Sequence, residues 1–161
     1  MAELGNQKDR LHNVELVFIT VQGDITVARP EFEGHFNLNC FFVSEPVRQA
    51  VAEGRADFIP AFLSDIPDLF KQGIMPLDVA IVQVSPPDKF GYCSLGASVD
   101  IARSAVNTAK KVIALVNPKV PRTHGDTMIH IDRFESMVYH EADLPEVDYG
   151  SKIGEEEMMI A

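Results

Sequence analysis

Val79-Ala-Ile-Val-Gln-Val-Ser-Pro-Pro-Asp-Lys-Phe-Gly-Tyr-Cys-Ser-Leu-Gly96 decides the fold class of this chain. Its first six residues, apolar apart from Gln83, read as a buried strand. Ser85-Pro86-Pro87-Asp88 then stops that strand sharply, because two prolines fix φ and cannot donate to a ladder. Small and hydroxyl residues follow, then a helical pattern, then a second buried strand, Val112-Ile-Ala-Leu-Val116. That strand empties into Asn117-Pro-Lys-Val-Pro-Arg-Thr-His-Gly-Asp126. Both loops leave the C-terminal ends of neighbouring strands, where open α/β sheets place their ligands.

The pattern repeats outward. Val14 to Val21 is β-branched and aromatic and predicts a strand. Gln22 to Asn39 is polar and punctuated by Gly and Pro, and reads as a long connection. Cys40 to Val43 predicts a short strand, with Ser44 capping a helix that carries Val47, Ala50 and Val51 and stops at Gly54. Phe58 to Leu63 predicts the next strand, followed by Ser64 as cap, a helix over Ile66 to Gln72, and Gly73 as its stop. From Val99 to Lys111, the residues Ile101, Ala102, Ala105, Val106 and Ala109 recur at helical spacing, with Lys110 and Lys111 placed for the last turn. Met128 to Ile131 and Ser136 to Tyr139 are expected as a hairpin. Strands alternating with short helices define an α/β fold with an open, mainly parallel sheet and flanking helices, in one domain over residues 1–161.

Composition narrows the function. The 161 residues carry a formal charge of -10, which disfavours a nucleic-acid partner, since phosphate binding rewards clustered Lys and Arg. From Glu141 onward, Glu141, Asp143, Glu146, Asp148, Glu155, Glu156 and Glu157 face only Lys152, a pattern expected of a solvated segment. Cys40 and Cys93 stand far apart with no CxxC, so neither a disulfide framework nor a metal site is expected, and a reducing compartment fits. No apolar run is long enough to cross a membrane, and Met1 to Asn13 is neither a signal nor a transit sequence. The expectation is a soluble intracellular protein. Both ends read as cut: the chain opens on what resembles the tail of a helix. Ser151 to Ala161 starts a helix, acids first, without a stop.

None of the motifs is an obvious catalyst. Gly91-Tyr-Cys-Ser-Leu-Gly-Ala-Ser98 has the outline of a phosphate-cradling loop, but Ala97 stands where the lysine belongs. The double proline is either a plain rigid turn or a device holding Ser85, Tyr92 and Ser94 at the sheet edge for a ligand or facing domain. Arg122 and Lys119 are the best placed cations for a phosphate or carboxylate, or they pair with neighbouring acids. His12, His35, His124, His130 and His140 show no metal spacing and no triad companion, and are expected as surface or capping residues. Cys93 is a possible nucleophile but reads better as a small half-buried residue.

Gly54-Arg-Ala-Asp57, the unbroken run Asp78 to Asp100, and Val116-Asn-Pro-Lys-Val-Pro-Arg-Thr-His-Gly-Asp126 together resemble the acetyl-CoA hydrolase/transferase family, which includes acetate, succinate and 4-hydroxybutyrate CoA-transferases. The resemblance runs from about Val14 to Pro145, with Val120 where the family usually has methionine, a volume-conserving change.

The resemblance implies an N-terminal domain lacking its first strand and glycine-containing loop, from a longer, homo-oligomeric enzyme of two α/β domains. Members transfer CoA between a thioester and a small carboxylate through a glutamate, which forms a mixed anhydride and then a glutamyl-CoA thioester. That glutamate lies in the second domain, so it is expected beyond Ala161 and no catalytic residue is expected in this chain. The CoA thioester is a substrate; no permanently bound cofactor is implied. Ser85, Pro86, Pro87, Gly91, Tyr92 and Ser94 from one loop, with Asn117, Arg122, Thr123 and Gly125 from the other, are the expected lining of the cleft. The resemblance further leads us to expect the mitochondrial matrix in a eukaryote or the cytoplasm in a bacterium. Two rivals stand beside this reading. One is a non-catalytic module that docks on a full-length relative or on itself. The other is an independent thioesterase using Cys93 or Ser94.

Overall fold

The computed structural model describes residues 2–146 and 154–160. After a short helix α1 (Ala2–Asn6), β1 (Val14–Phe18), β2 (Phe36–Cys40) and β3 (Ala56–Phe58) form a parallel ladder in that order, with α2 (Glu45–Ala52) linking the last two. After α3 (Ile66–Lys71), β4 (Val79–Val84), β6 (Lys111–Val116) and β8 (Ser136–Tyr139) form a second parallel ladder, with α4 (Asp100–Thr108) crossing between β4 and β6. The mainly parallel α/β class is as expected, but among the described residues its strands divide among two three-stranded parallel ladders and one two-stranded antiparallel pair.

Each half has its own core. Phe36, Leu38 and Cys40 of β2 pack with Val47 and Ala50 of α2, while Val82, Val84, Val112, Ala114 and Val116 pack under Val106 and Ala109. A third cluster of Phe41, Ile66 and Phe70 joins the halves, taking in Val17 and Ile19 from one side and Leu77, Ile101 and Ala105 from the other. The Ser104 hydroxyl donates to the Pro67 carbonyl at 3.1 Å and locks α4 onto α3.

Several boundaries differ from expectation for identifiable reasons. β2 is Phe36–Cys40, not Cys40 to Val43. Asn37 and Asn39 alternate with three buried apolar residues, and that polar half of the period hid the strand inside a presumed connection. β3 ends at Phe58, where Pro60 cannot continue a ladder and Phe62 turns outward, 78% exposed. Ser44 occupies the cap position of α2 but does not cap it; its hydroxyl accepts the Val21 N–H instead. The cap position of α3 is Asp65, with Ser64 donating to its carboxylate. Lys110 and Lys111 lie beyond α4 and pair with Asp78 and Glu135. The expected hairpin is absent: β7 (Met128–His130) pairs antiparallel with β5 (Tyr92–Ser94), and β8 joins β6 in parallel. A short apolar run carries no information about its partner. The helix expected near the C-terminus is α5 (Glu155–Ile160), while Asp148 and Lys152 of the acidic segment lie outside the described residues.

β4 departs from its reading as a wholly buried strand. Ala80, Val82 and Val84 face the core, but Val79 and Ile81 are 46% and 56% exposed on the opposite face.

Candidate functional site

β4 and β6 are adjacent and in register at their ends, Val84 opposite Val116, so the two loops singled out in the sequence leave the sheet side by side. Ser85 and Ser94 close the first loop: the Ser85 N–H donates to the Ser94 carbonyl at 2.8 Å, and the Ser94 N–H donates to the Ser85 hydroxyl at 2.9 Å. Pro86 and Pro87 span the bend between them.

Ser94, fully buried, joins this loop to the second. Its Oγ accepts the N–H of Gly96 and of Thr123, both at 3.1 Å, and lies 3.2 Å from Thr123 Oγ1 and 3.3 Å from Thr127 Oγ1. The Thr123 hydroxyl donates back to the Gly96 carbonyl at 2.7 Å, and the Thr127 hydroxyl donates to the Thr123 carbonyl at 2.9 Å. Asn117, also buried, anchors the start of the second loop. Its amide donates to the Ala142 carbonyl and its side-chain oxygen accepts the Lys119 N–H. A buried network with its partners in place rigidifies what it joins.

A second connection lies nearer the surface. Asp88 accepts the N–H groups of Phe90 and Tyr92, and Arg122 reaches across from the other loop to the Asp88 carboxylate at 2.6 Å and the Tyr92 carbonyl at 3.0 Å. The Tyr92 N–H, with that of Phe90 and the charge of Arg122, holds the Asp88 carboxyl below its ordinary pKa. The ion-pair alternative for Arg122 is therefore present in the structure. Lys119 likewise lies near Glu141 and Asp143.

Two glycines let the loops approach. Gly91 has φ of +82°, and a Cβ there would meet His130 Nε2 at 2.8 Å. Gly96 has φ of +68°, and a Cβ would meet Val120 Cγ1 at 2.5 Å. Gly125 also has positive φ, but lies in open space. Tyr92 stands partly exposed, edge-on to His130 at 5.0 Å.

The site lacks an activated nucleophile. Cys93 is fully buried, and burial pushes its thiol pKa up, away from the thiolate that would attack. Ser94 is committed to neighbouring loop atoms, its hydroxyl lying among Thr123, Thr127 and the Gly96 N–H, with no histidine among these partners. His130 accepts the Asp132 N–H at the start of a 3-10 turn, the capping role expected of it. His35 lies beside His12 and within 3.1 Å of the Leu11 carbonyl. Among the described residues no three His, Cys, Asp or Glu side chains group as metal ligands.

Sequence reasoning missed a groove in the other half. It occupies about 560 Å³ between the start of α2 and the segment Val21 to Pro30. Its two guanidiniums are already paired, Arg29 with Asp24 and Arg55 with Glu53. The only sequence signal was the Gly23 and Pro30 punctuation, which describes any long connection.

The chain is an α/β domain whose adjacent C-terminal loops are fastened together through Ser94 and Arg122. The family can be stated. The model of the acetyl-CoA hydrolase/transferase N-terminal domain matches residues 1–149, and the chain belongs to that family. It is 42% identical over 135 residues to the 4-hydroxybutyrate coenzyme A transferase of Clostridium kluyveri, covering 84% of this chain and 32% of that protein. It is 42% identical over 127 residues to the succinyl-CoA:acetate/propanoyl-CoA:succinate CoA transferase of Fasciola hepatica, covering 79% and 26%. The chain thus spans about a third or less of the length of these curated relatives. The 4-hydroxybutyrate CoA-transferase structure from Porphyromonas gingivalis superposes with a TM-score of 0.75 at 30% identity, covering 93% of this chain and 34% of that one. RipA from Yersinia pestis shares the fold, with a TM-score of 0.85 at 24% identity over 93% of this chain and 37% of its own. No helix among the described residues is long and apolar enough to cross a membrane.

Proposed function

We propose that this chain forms one wall of the cleft of an acyl-CoA:carboxylate CoA-transferase of the acetate, succinate or 4-hydroxybutyrate type. A glutamate outside these residues attacks the acyl-CoA carbonyl and expels CoA thiolate. The thiolate then attacks the resulting anhydride, releasing the carboxylate and leaving a glutamyl-CoA thioester. The CoA thioester is a substrate, not a resident cofactor. The wall consists of Ser85 to Ser94 and Asn117 to Gly125, with Tyr92 and the edge of the Asp88–Arg122 pair toward the cleft.

The observation that carries this reading is the combination of two CoA-transferase relatives at 42% identity with adjoining loops that hold no free nucleophile. A chimera tests it, with residues 14–145 replacing the matching part of the Clostridium kluyveri enzyme. CoA transfer from acetyl-CoA to succinate or 4-hydroxybutyrate is expected from the chimera and not from the 161-residue chain. A folded but inactive chimera overturns the function, and turnover by the chain alone overturns the assignment of the catalyst to other residues.

One observation favours a second reading, a non-catalytic module that docks on a full-length relative or on itself. The β4-β6-β8 sheet carries an exposed apolar face, where Val79, Ile81 and Val138 stand about half exposed. Exposed apolar patches of this kind mark interaction surfaces. Size-exclusion chromatography over a range of concentrations tests self-association, and co-purification with the relative tests docking.

A further inference from the structure

The loop from Asn117 to Asp126 is held at its start by Asn117 and in its middle by Ser94 and Arg122, through hydrogen bonds with aligned partners. Its far end meets Arg103 of α4, a residue outside both loops. One terminal guanidinium nitrogen of Arg103 donates to the Met128 carbonyl at 2.9 Å, and its Nε lies 3.1 Å from the Asp126 carboxylate. Met128 opens β7 and lies opposite Ser94 in the pairing with β5. Arg103 therefore ties α4 to the point where the loop re-enters the fold.

The two contacts differ in quality. The bond to the Met128 carbonyl is aligned, whereas Nε, closed to solvent, meets Asp126 without the alignment of a hydrogen bond. The Arg103 side chain is 28% exposed and that of Asp126 76%. A largely buried guanidinium is thus compensated by one carboxylate at the surface, and a buried charge that loses its partner is strongly disfavoured. The electrostatic demand of Arg103 falls on Asp126 and fixes where the loop end lies. The residues just before it have little other reason to hold one position: His124 and Gly125 are exposed, and Gly125 has φ of +98° with open space around it. Thr123 and Thr127 on either side are fastened to each other and to Ser94.

We propose that Arg103 is a positioning residue for CoA transfer, which acts through Asp126 to hold His124 and Gly125 against the bound acyl-CoA. The inference rests on the reading of these loops as a wall of the CoA-transferase cleft, and adds to that wall a residue from the helix behind it.

The test uses the chimera that carries residues 14–145. Arg103→Ala should raise the KM for acyl-CoA about tenfold while kcat changes by less than about twofold, the pattern of lost substrate positioning. A side chain needed only for folding would instead lower the amount of active enzyme, and with it the apparent kcat, and leave KM unmoved. Asp126→Asn should reproduce the rise in KM, and the double variant should be no worse than Arg103→Ala. Arg103→Lys keeps the charge without the fork and should recover part of the loss. Lys71→Ala, which breaks an exposed pair on α3, should change neither constant. In the 161-residue chain, Arg103→Ala should lower the backbone order parameters of His124 to Asp126 and leave that of Gly96 unchanged. Asp126→Asn, at an exposed carboxylate, serves where Arg103→Ala does not fold. An active chimera whose KM is unmoved by both substitutions overturns this inference and leaves the CoA-transferase reading in place. A rise in KM with Arg103→Ala but not with Asp126→Asn overturns the route through Asp126. An inactive unaltered chimera overturns the CoA-transferase reading, and this inference with it.

Discussion

Arg122 places one guanidinium nitrogen 2.6 Å from the Asp88 carboxylate and the other 3.0 Å from the Tyr92 carbonyl, spanning the gap between the two loops. Asp88 is at the same time fixed by the N–H groups of Phe90 and Tyr92. Its folded-state pKa lies below the unfolded value, so its contribution to stability is present above the ordinary carboxylate range and fades as pH falls through the folded value. Asp88→Ala should therefore lower the melting temperature at pH 7, and the difference from the unaltered protein should narrow at pH 3. Calorimetry at the two pH values checks this; a gap that widens on acidification would show that the linkage runs the other way.

The deeper fastening should matter more. Ser94→Ala removes the acceptor for the N–H groups of Gly96 and Thr123 in a site closed to water. Leaving buried donors unpaired costs about 1–3 kcal/mol each, moderated by relaxation, so a loss of about 2–3 kcal/mol is expected in urea denaturation. Faster hydrogen exchange should appear first at the Gly96 and Thr123 amides. A loss below about 0.5 kcal/mol would mean that the hydroxyl does not hold the loops, since surface substitutions commonly fall in that range.

The sequence exposed some of this and hid the rest for physical reasons. Val79 to Val84 and Val112 to Val116 were legible because continuous apolar runs that empty into proline loops have few alternative readings. β2 was not, because Asn37 and Asn39 sit at the solvent-facing half of its period. The pairing of β7 with β5 was unreadable, since only the folded backbone decides which edge three residues join. Among the loop residues, Ser85, Ser94 and Thr123 do converge. The choice between an anion contact and an ion pair for Arg122 depended on Asp88, thirty-four positions away.

Gly96 provides a test of loop apposition. At φ of +68° an L side chain is strained by about 1–3 kcal/mol, and its Cβ would also lie 2.5 Å from Val120 Cγ1. Gly96→Ala should cost about 2–4 kcal/mol, the upper end reflecting overpacking against Val120 and the Pro121 carbonyl. Adding Val120→Ala should recover the steric part and leave the backbone strain. Equal losses in the single and double variants would place the whole cost in φ.

Cys93 provides the test that separates a wall from a catalyst. Its side chain is fully buried, and burial raises the thiol pKa; Cys40 is buried as well, and its pKa is raised for the same leading reason. Thiolate, not thiol, is the reactive form, so neither cysteine should react with a disulfide reagent at pH 8 on the timescale of free thiol. Both should react once guanidinium unfolds the chain. Acetyl-CoA hydrolysis, if any is detected, should be unchanged in a Cys93→Ala, Ser94→Ala double variant that has been shown to fold. A fast-reacting thiol in the folded chain, together with hydrolysis abolished by Cys93→Ala, would make this domain an enzyme in its own right. It would also overturn its reading as a wall that awaits a glutamate from elsewhere.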